Sequence, residues 1–191
     1  MNTLSKLIKQ SKDFAISEAE KYGVPSPFHV SLSYEVGQRL AKELGANSDI
    51  VAVGTYLMDC MLGVAFKEGR MPDHISMSAE KASEMLSVYS DTPDEDKENI
   101  VSCVKEHHGV KKFSSLEAEI CCNADCYRFS SIRGFVGGIH HGREMQLKDL
   151  LKLYKDKSDE KWNALSLDIC KKELEPEYKA IQELISTYKE N

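Results

Sequence analysis

Residues 50–66 are apolar at nearly every position, and the one charge among them, Asp59, sits in the middle. A membrane span takes about 20 residues, so this slightly shorter run reads as a buried core helix. A carboxylate inside such a helix needs a partner, because an unpaired buried charge is costly. A divalent cation is one such partner. The rest of the chain then has to build a helical core around this segment and bring further ligands to it.

The remainder does read as helix after helix, with no convincing strand. Leu4, Leu7, Ile8, Ala15, Ala19 and Tyr22 share one helical face, and the stretch from Gly23 to Pro27 breaks it. A second helix starts near His29, carries Val36, Leu40 and Leu44, and stops at Gly45. Ser48 or Asp49 offers a cap for the third, and 63–73 reads as a loop. A fourth helix follows Ser76 or Ser78. Thr92-Pro93-Asp94-Glu95 opens a fifth that ends near His107-His108-Gly109. Ser114 with Glu117 forms a capping box for a helix running through Asp125 to about Phe129. The glycines at 134, 137, 138 and 142 suggest a flexible loop over 133–142. Two helices are expected near 146–154 and 159–188, the second kinked or broken at Pro176.

The 191 residues suit one well-buried domain, so 1–191 is expected to be a single compact all-α, multi-helix bundle. A net charge of −6 argues against nucleic acid as the main partner. The N-terminus lacks the apolar stretch of a signal peptide, which points to a cytoplasmic protein with no membrane partner. The six cysteines contain no CxxC pair, and reduced thiols are expected. Cys122 and Cys126 are one helical turn apart with no second pair to face them, and read as small core residues.

Imidazoles and carboxylates recur along this helical pattern in the order His29, Asp59, His74, His107, His108, Asp125. The segments that carry them are Phe28-His29-Val30, the apolar lead into Asp59, His74 with the following residues to Ala79, Glu106-His107-His108, and Asn123-Ala124-Asp125. In this order they resemble the HD-domain superfamily of metal-dependent phosphohydrolases. The resemblance covers about 28–130 and leaves 143–191 as a helical extension. It implies a principal metal site of His29, Asp59 and Asp125, with Asp59 bridging if there are two ions. It also implies that His74, His107 and His108 are the additional ligands of the dinuclear branch. One or two divalent ions per chain would fit, and Fe, Mn, Zn, Ni, Co and Mg are not distinguished. Such an ion lowers the pKa of a water and clamps phosphate oxygens.

The pattern breaks at Met58, where the superfamily has a histidine beside its aspartate. A thioether is a poor ligand for hard ions. Three outcomes stay open: the remaining ligands hold one active ion, the site binds metal weakly without catalysis, or Met58 fills core space over a dead site. Arg128 is one turn beyond Asp125 and shares its face. Lys67 and Arg70 lie between Asp59 and His74. These three cations are the candidate substrate-binding residues. The leading expectation is a phosphohydrolase acting on a small phosphorylated molecule such as a nucleotide, in a chain capable of forming a homo-oligomer. A ligand- or partner-binding protein of the same fold is the rival, and a di-iron oxygenase the third reading.

Overall fold

The computed structural model describes residues 3–188, which form ten α-helices and no strand. They are α1 (Thr3–Tyr22), α2 (Pro27–Leu44), α3 (Ser48–Leu57), α4 (Leu62–Lys67), α5 (His74–Ser87), α6 (Asp94–Glu106), α7 (Leu116–Ser130), α8 (Ile132–His141), α9 (Leu147–Ala164) and α10 (Asp168–Thr187). A 3-10 turn, Met71–Asp73, leads directly into α5. The expected domain limits at 1 and 191 lie outside the described residues.

α7 is the axis of the molecule, packed by α2, α3, α6, α8, α9 and α10. Nearly all of it is buried, with Ala118, Cys121, Cys122, Ala124 and Cys126 fully so. A helix covered on every side has no solvent face, and its small residues let neighbours approach closely. At Gly54 of α3, an added Cβ would lie 2.6 Å from the Cβ of Cys103 and 2.9 Å from the Cys121 sulfur. Three helices therefore meet where a side chain has been removed. The cysteines are buried free thiols that fill this core.

Several helix ends follow their local signals. Ser26 caps α2 by accepting the His29 amide, and Gly45 ends it at φ 75°. Other boundaries differ from the sequence expectation, each for a packing reason. Asn47, not Ser48 or Asp49, caps α3. Ser115, rather than Ser114, caps α7, and Glu117 reaches out to the Asn47 amide and the Asn99 side chain. The apolar segment is not one helix: it breaks between Leu57 and Leu62, where Ser78 of α5 accepts the Met61 amide. Residues 48–67 pass for a membrane span by length and composition, but 72% of that segment's most apolar window is buried inside the protein.

The expected loop at 63–73 is mostly α4 and the 3-10 turn. The expected flexible loop at 133–142 is α8, capped by Ser131. Its glycines mark close packing instead of hinges. A Cβ at Gly138 would fall 1.2 Å from the Tyr154 hydroxyl oxygen, and one at Gly134 2.3 Å from the Tyr127 carbonyl oxygen. α10 continues across Pro176, which lies on an exposed part of the helix, where water can answer the backbone hydrogen bond a proline cannot make. The α9–α10 break falls at 165–167, not near 155–158. There the Asn123 side chain of α7 accepts the Ser166 and Leu167 amides at 3.2 and 3.1 Å.

Candidate functional site

Asp59 lies in the turn between α3 and α4, the point where the apolar segment bends. His74 is the first residue of α5, and His107 follows the last residue of α6. The turn, one helix start and one helix end thus converge, and ligand atoms of Asp59, His74, His107 and His108 all lie within 4.8 Å of one another. Asp59 Oδ1 is 3.3 Å from His107 Nε2 and 3.7 Å from His74 Nε2.

The outer nitrogens of two rings are tied to backbone. His74 Nδ1 donates to the Met71 carbonyl at 2.7 Å, and His107 Nδ1 donates to the Val104 carbonyl at 2.7 Å. A carbonyl only accepts, so the proton is on Nδ1 and the neutral ring presents a lone pair at Nε2. That lone pair faces a carboxylate oxygen, which is also an acceptor. Asp59 Oδ1 and His107 Nε2 are both buried without a hydrogen-bond partner. Either a proton or a cation has to sit between them. Backbone-oriented imidazoles beside a carboxylate are the arrangement in which metal-ligating histidines are held, and the donor set suits a divalent transition ion. The residues therefore fit the metal that the sequence suggested. His108 completes the group, its pKa pushed down to about 3, chiefly by burial.

Asp125 and His29 are placed differently. Asp125 Oδ1 accepts from Arg128 Nη1 at 2.7 Å, and Oδ2 forms an ion pair with Lys161 Nζ at 2.6 Å whose angles fall short of a hydrogen bond. Arg128 Nη1 also donates to Asp59 Oδ2, bridging the two carboxylates. Burial alone would raise both acids. Arg128 outweighs it at Asp59, and Lys161 and Arg128 at Asp125, so both sit below the ordinary carboxylate range. His29 Nε2 donates to the Gly134 carbonyl of α8 at 3.0 Å, and its ring packs on Phe129. Burial first, then Arg128, lowers its pKa to about 4. Neither His29 nor Asp125 joins the converging group. Met58 is fully buried in the core.

A cavity of about 90 Å³ opens onto the group, lined among others by Asp59, His74, His108, Arg128, Lys157 and Lys161. Of the expected substrate cations, Arg128 lines it. Lys67 lies over the Tyr22 ring and Arg70 pairs with Glu68 and Asp73, so neither reaches it. Lys157 and Lys161 were not singled out by the sequence. They sit one turn apart in a helix full of charge, where nothing local distinguishes a buried lysine from a solvated one. Lys161 is 2% exposed. A second cavity of about 480 Å³, containing Lys111 and Asn163, shares His108 with the first.

No protein-family model and no curated protein matches the chain. Solved structures do. Bacillus subtilis YpgQ in complex with ADP aligns at TM-score 0.67 and 14% identity, covering 97% of this chain and 94% of that one. A predicted HD superfamily hydrolase of an uncultured Thermotogales bacterium aligns at 0.67 and 15%, covering 97% and 96%. An HD-superfamily hydrolase of Bacillus thuringiensis aligns at 0.65 and 15%, covering 96% and 95%. At these identities the likeness is one of fold: the chain has an HD-domain-like, all-helical fold.

Proposed function

We propose that this chain is a metal-dependent hydrolase of small phosphate esters, with Asp59, His74, His107 and His108 as the groups that hold the ion. One observation carries the reading. Two buried acceptors, Asp59 Oδ1 and His107 Nε2, face each other at 3.3 Å with no hydrogen bond to either. A bound divalent ion would supply Lewis acidity and lower the pKa of a water.

The chain's own residues do the rest. Arg128, Lys157 and Lys161 bring positive charge to the cavity wall, where a phosphoryl anion would be held and developing charge offset. Leu62, Met71 and Phe129 give the cavity an apolar rim that limits water around the anion. The cavity suits a phosphoryl group, and the neighbouring one that shares His108 offers room for the remainder of the ester. A nucleotide is a reasonable class, and a protein of this fold, YpgQ, has been seen in complex with ADP. A cytoplasmic location remains part of this reading.

A second reading, ligand binding without turnover, draws support from Arg128, which ties Asp59 to Asp125. One assay separates the two. Chelator-stripped protein is supplied with Mn2+ or Co2+ and offered para-nitrophenyl phosphate and a panel of nucleotides. Hydrolysis that needs the ion and disappears in Asp59→Asn is the expected result. An ion-loaded protein that binds nucleotide and hydrolyses none of these esters would overturn the hydrolase reading in favour of the second.

A further inference from the structure

We propose that Arg128, bridging Asp59 and Asp125, and Lys161, paired with Asp125, act as permanent, protein-borne cations, so that the site takes a single metal ion and Asp125 serves as counter-ion, not ligand. The inference rests on the metal-dependent reading above and narrows it.

Four observations carry it. Both oxygens of Asp125 are engaged, one by each cation. The guanidinium reaches across to Asp59 Oδ2, leaving Oδ1 as the oxygen that faces the imidazoles. Arg128 and Lys161 are 5% and 2% exposed, so these are not side chains resting on a surface. Arg128 carries its charge at any pH at which a protein folds, and the paired carboxylates hold it there.

The charge balance points the same way. Asp59 and Asp125 stand against Arg128 and Lys161, and Lys157 on the wall is answered by Glu160, so this end of the pocket is formally neutral before any ion binds. A second dication would have to displace a guanidinium and an ammonium from buried ion pairs. One dication on the imidazole side instead leaves a pocket two charges positive, the complement of a phosphoryl dianion. Arg128 then does from the protein what a second ion does in a two-metal clamp: it holds charge close to the substrate's oxygens.

The test is metal stoichiometry on the full chain. Stripped protein is dialysed to equilibrium against Mn2+ and, separately, Co2+, and bound metal is measured by elemental analysis. The expected result is one ion per chain. Asp125→Asn combined with Lys161→Met removes one charge of each sign and should keep that ion, with affinity within about twofold. Asp59→Asn should lose at least about tenfold. Two ions per wild-type chain would overturn the inference, as would a loss beyond tenfold in the double variant with its circular dichroism and melting intact. If the double variant fails to fold, the wild-type count still decides. No ion at all would remove the metal-dependent reading as well, whereas two ions would leave it standing.

Discussion

A buried arginine that bridges two carboxylates is strongly committed to its place. Arg128 touches both Asp59 and Asp125, and all three are nearly inaccessible to solvent. Breaking a buried pair by removing one partner strands a charge and typically costs about 3–5 kcal/mol. Arg128→Ala should therefore lower the unfolding free energy by that order, read from the urea midpoint at unchanged slope. A shift under about 1 kcal/mol would mean the bridge is not formed in solution. Met58 gives the opposite expectation. It is a fully buried core side chain, so the near-isosteric Met58→Leu should cost less than about 1.5 kcal/mol and leave metal affinity unchanged. A large fall in affinity would show that the thioether belongs to the site.

Element boundaries here are decided by partners far away in sequence. The α9–α10 break has no strong local stop signal, but Asn123 captures two amides there and donates to the Ser166 hydroxyl. Asn123→Ala should cost about 1–2 kcal/mol, since two part-buried amides lose their acceptor. The Ser166 and Leu167 amides should exchange faster with solvent, and unchanged exchange would contradict the role. α8 poses the same issue through packing. Gly138→Ala would drive a methyl into Tyr154, an overpacking expected to cost about 1–3 kcal/mol. Pairing it with Tyr154→Leu should restore most of the loss. A flexible loop at 133–142 would have tolerated the alanine.

On the scale of the whole molecule, burial of ionisable groups couples stability to pH. His29 titrates near 4 in the folded chain because it is buried beside Arg128, against about 6.5 when unfolded. Below about pH 6.5 the unfolded chain binds the proton first, so stability falls as pH drops from there toward 4. Above that window His29 contributes no slope. Urea midpoints measured with chelator present should decline across pH 6.5 to 4. His29→Gln, which can still donate to Gly134, should make the decline shallower. An equal slope in the variant would show that His29 is not held neutral by the fold.

Much of the architecture was readable from local chemistry. Gly45 marks the end of α2 because a left-handed glycine satisfies orphan backbone groups wherever it occurs, whereas the start, expected near His29, falls at Pro27 behind the Ser26 cap. The apolar run around Asp59 announced a buried segment holding a charge that had to be answered, and the order of histidines suggested what would answer it. Local signals failed where two helices meet. The glycines of α8 looked like hinges but are contact points, and Pro176 looked like a break but lies on an open face. The site divided along the same line. The resemblance offered His74, His107 and His108 only as additional ligands beside a principal His29, Asp59 and Asp125, yet it is those three histidines that gather around Asp59. That Asp125 is claimed by Arg128 and by Lys161, a lysine thirty-six positions further on, was not foreseeable. A residue's type and spacing determine what it is able to bind, whereas the choice among several buried partners of opposite charge depends on distances of a few ångströms, which exist only once the helices have packed.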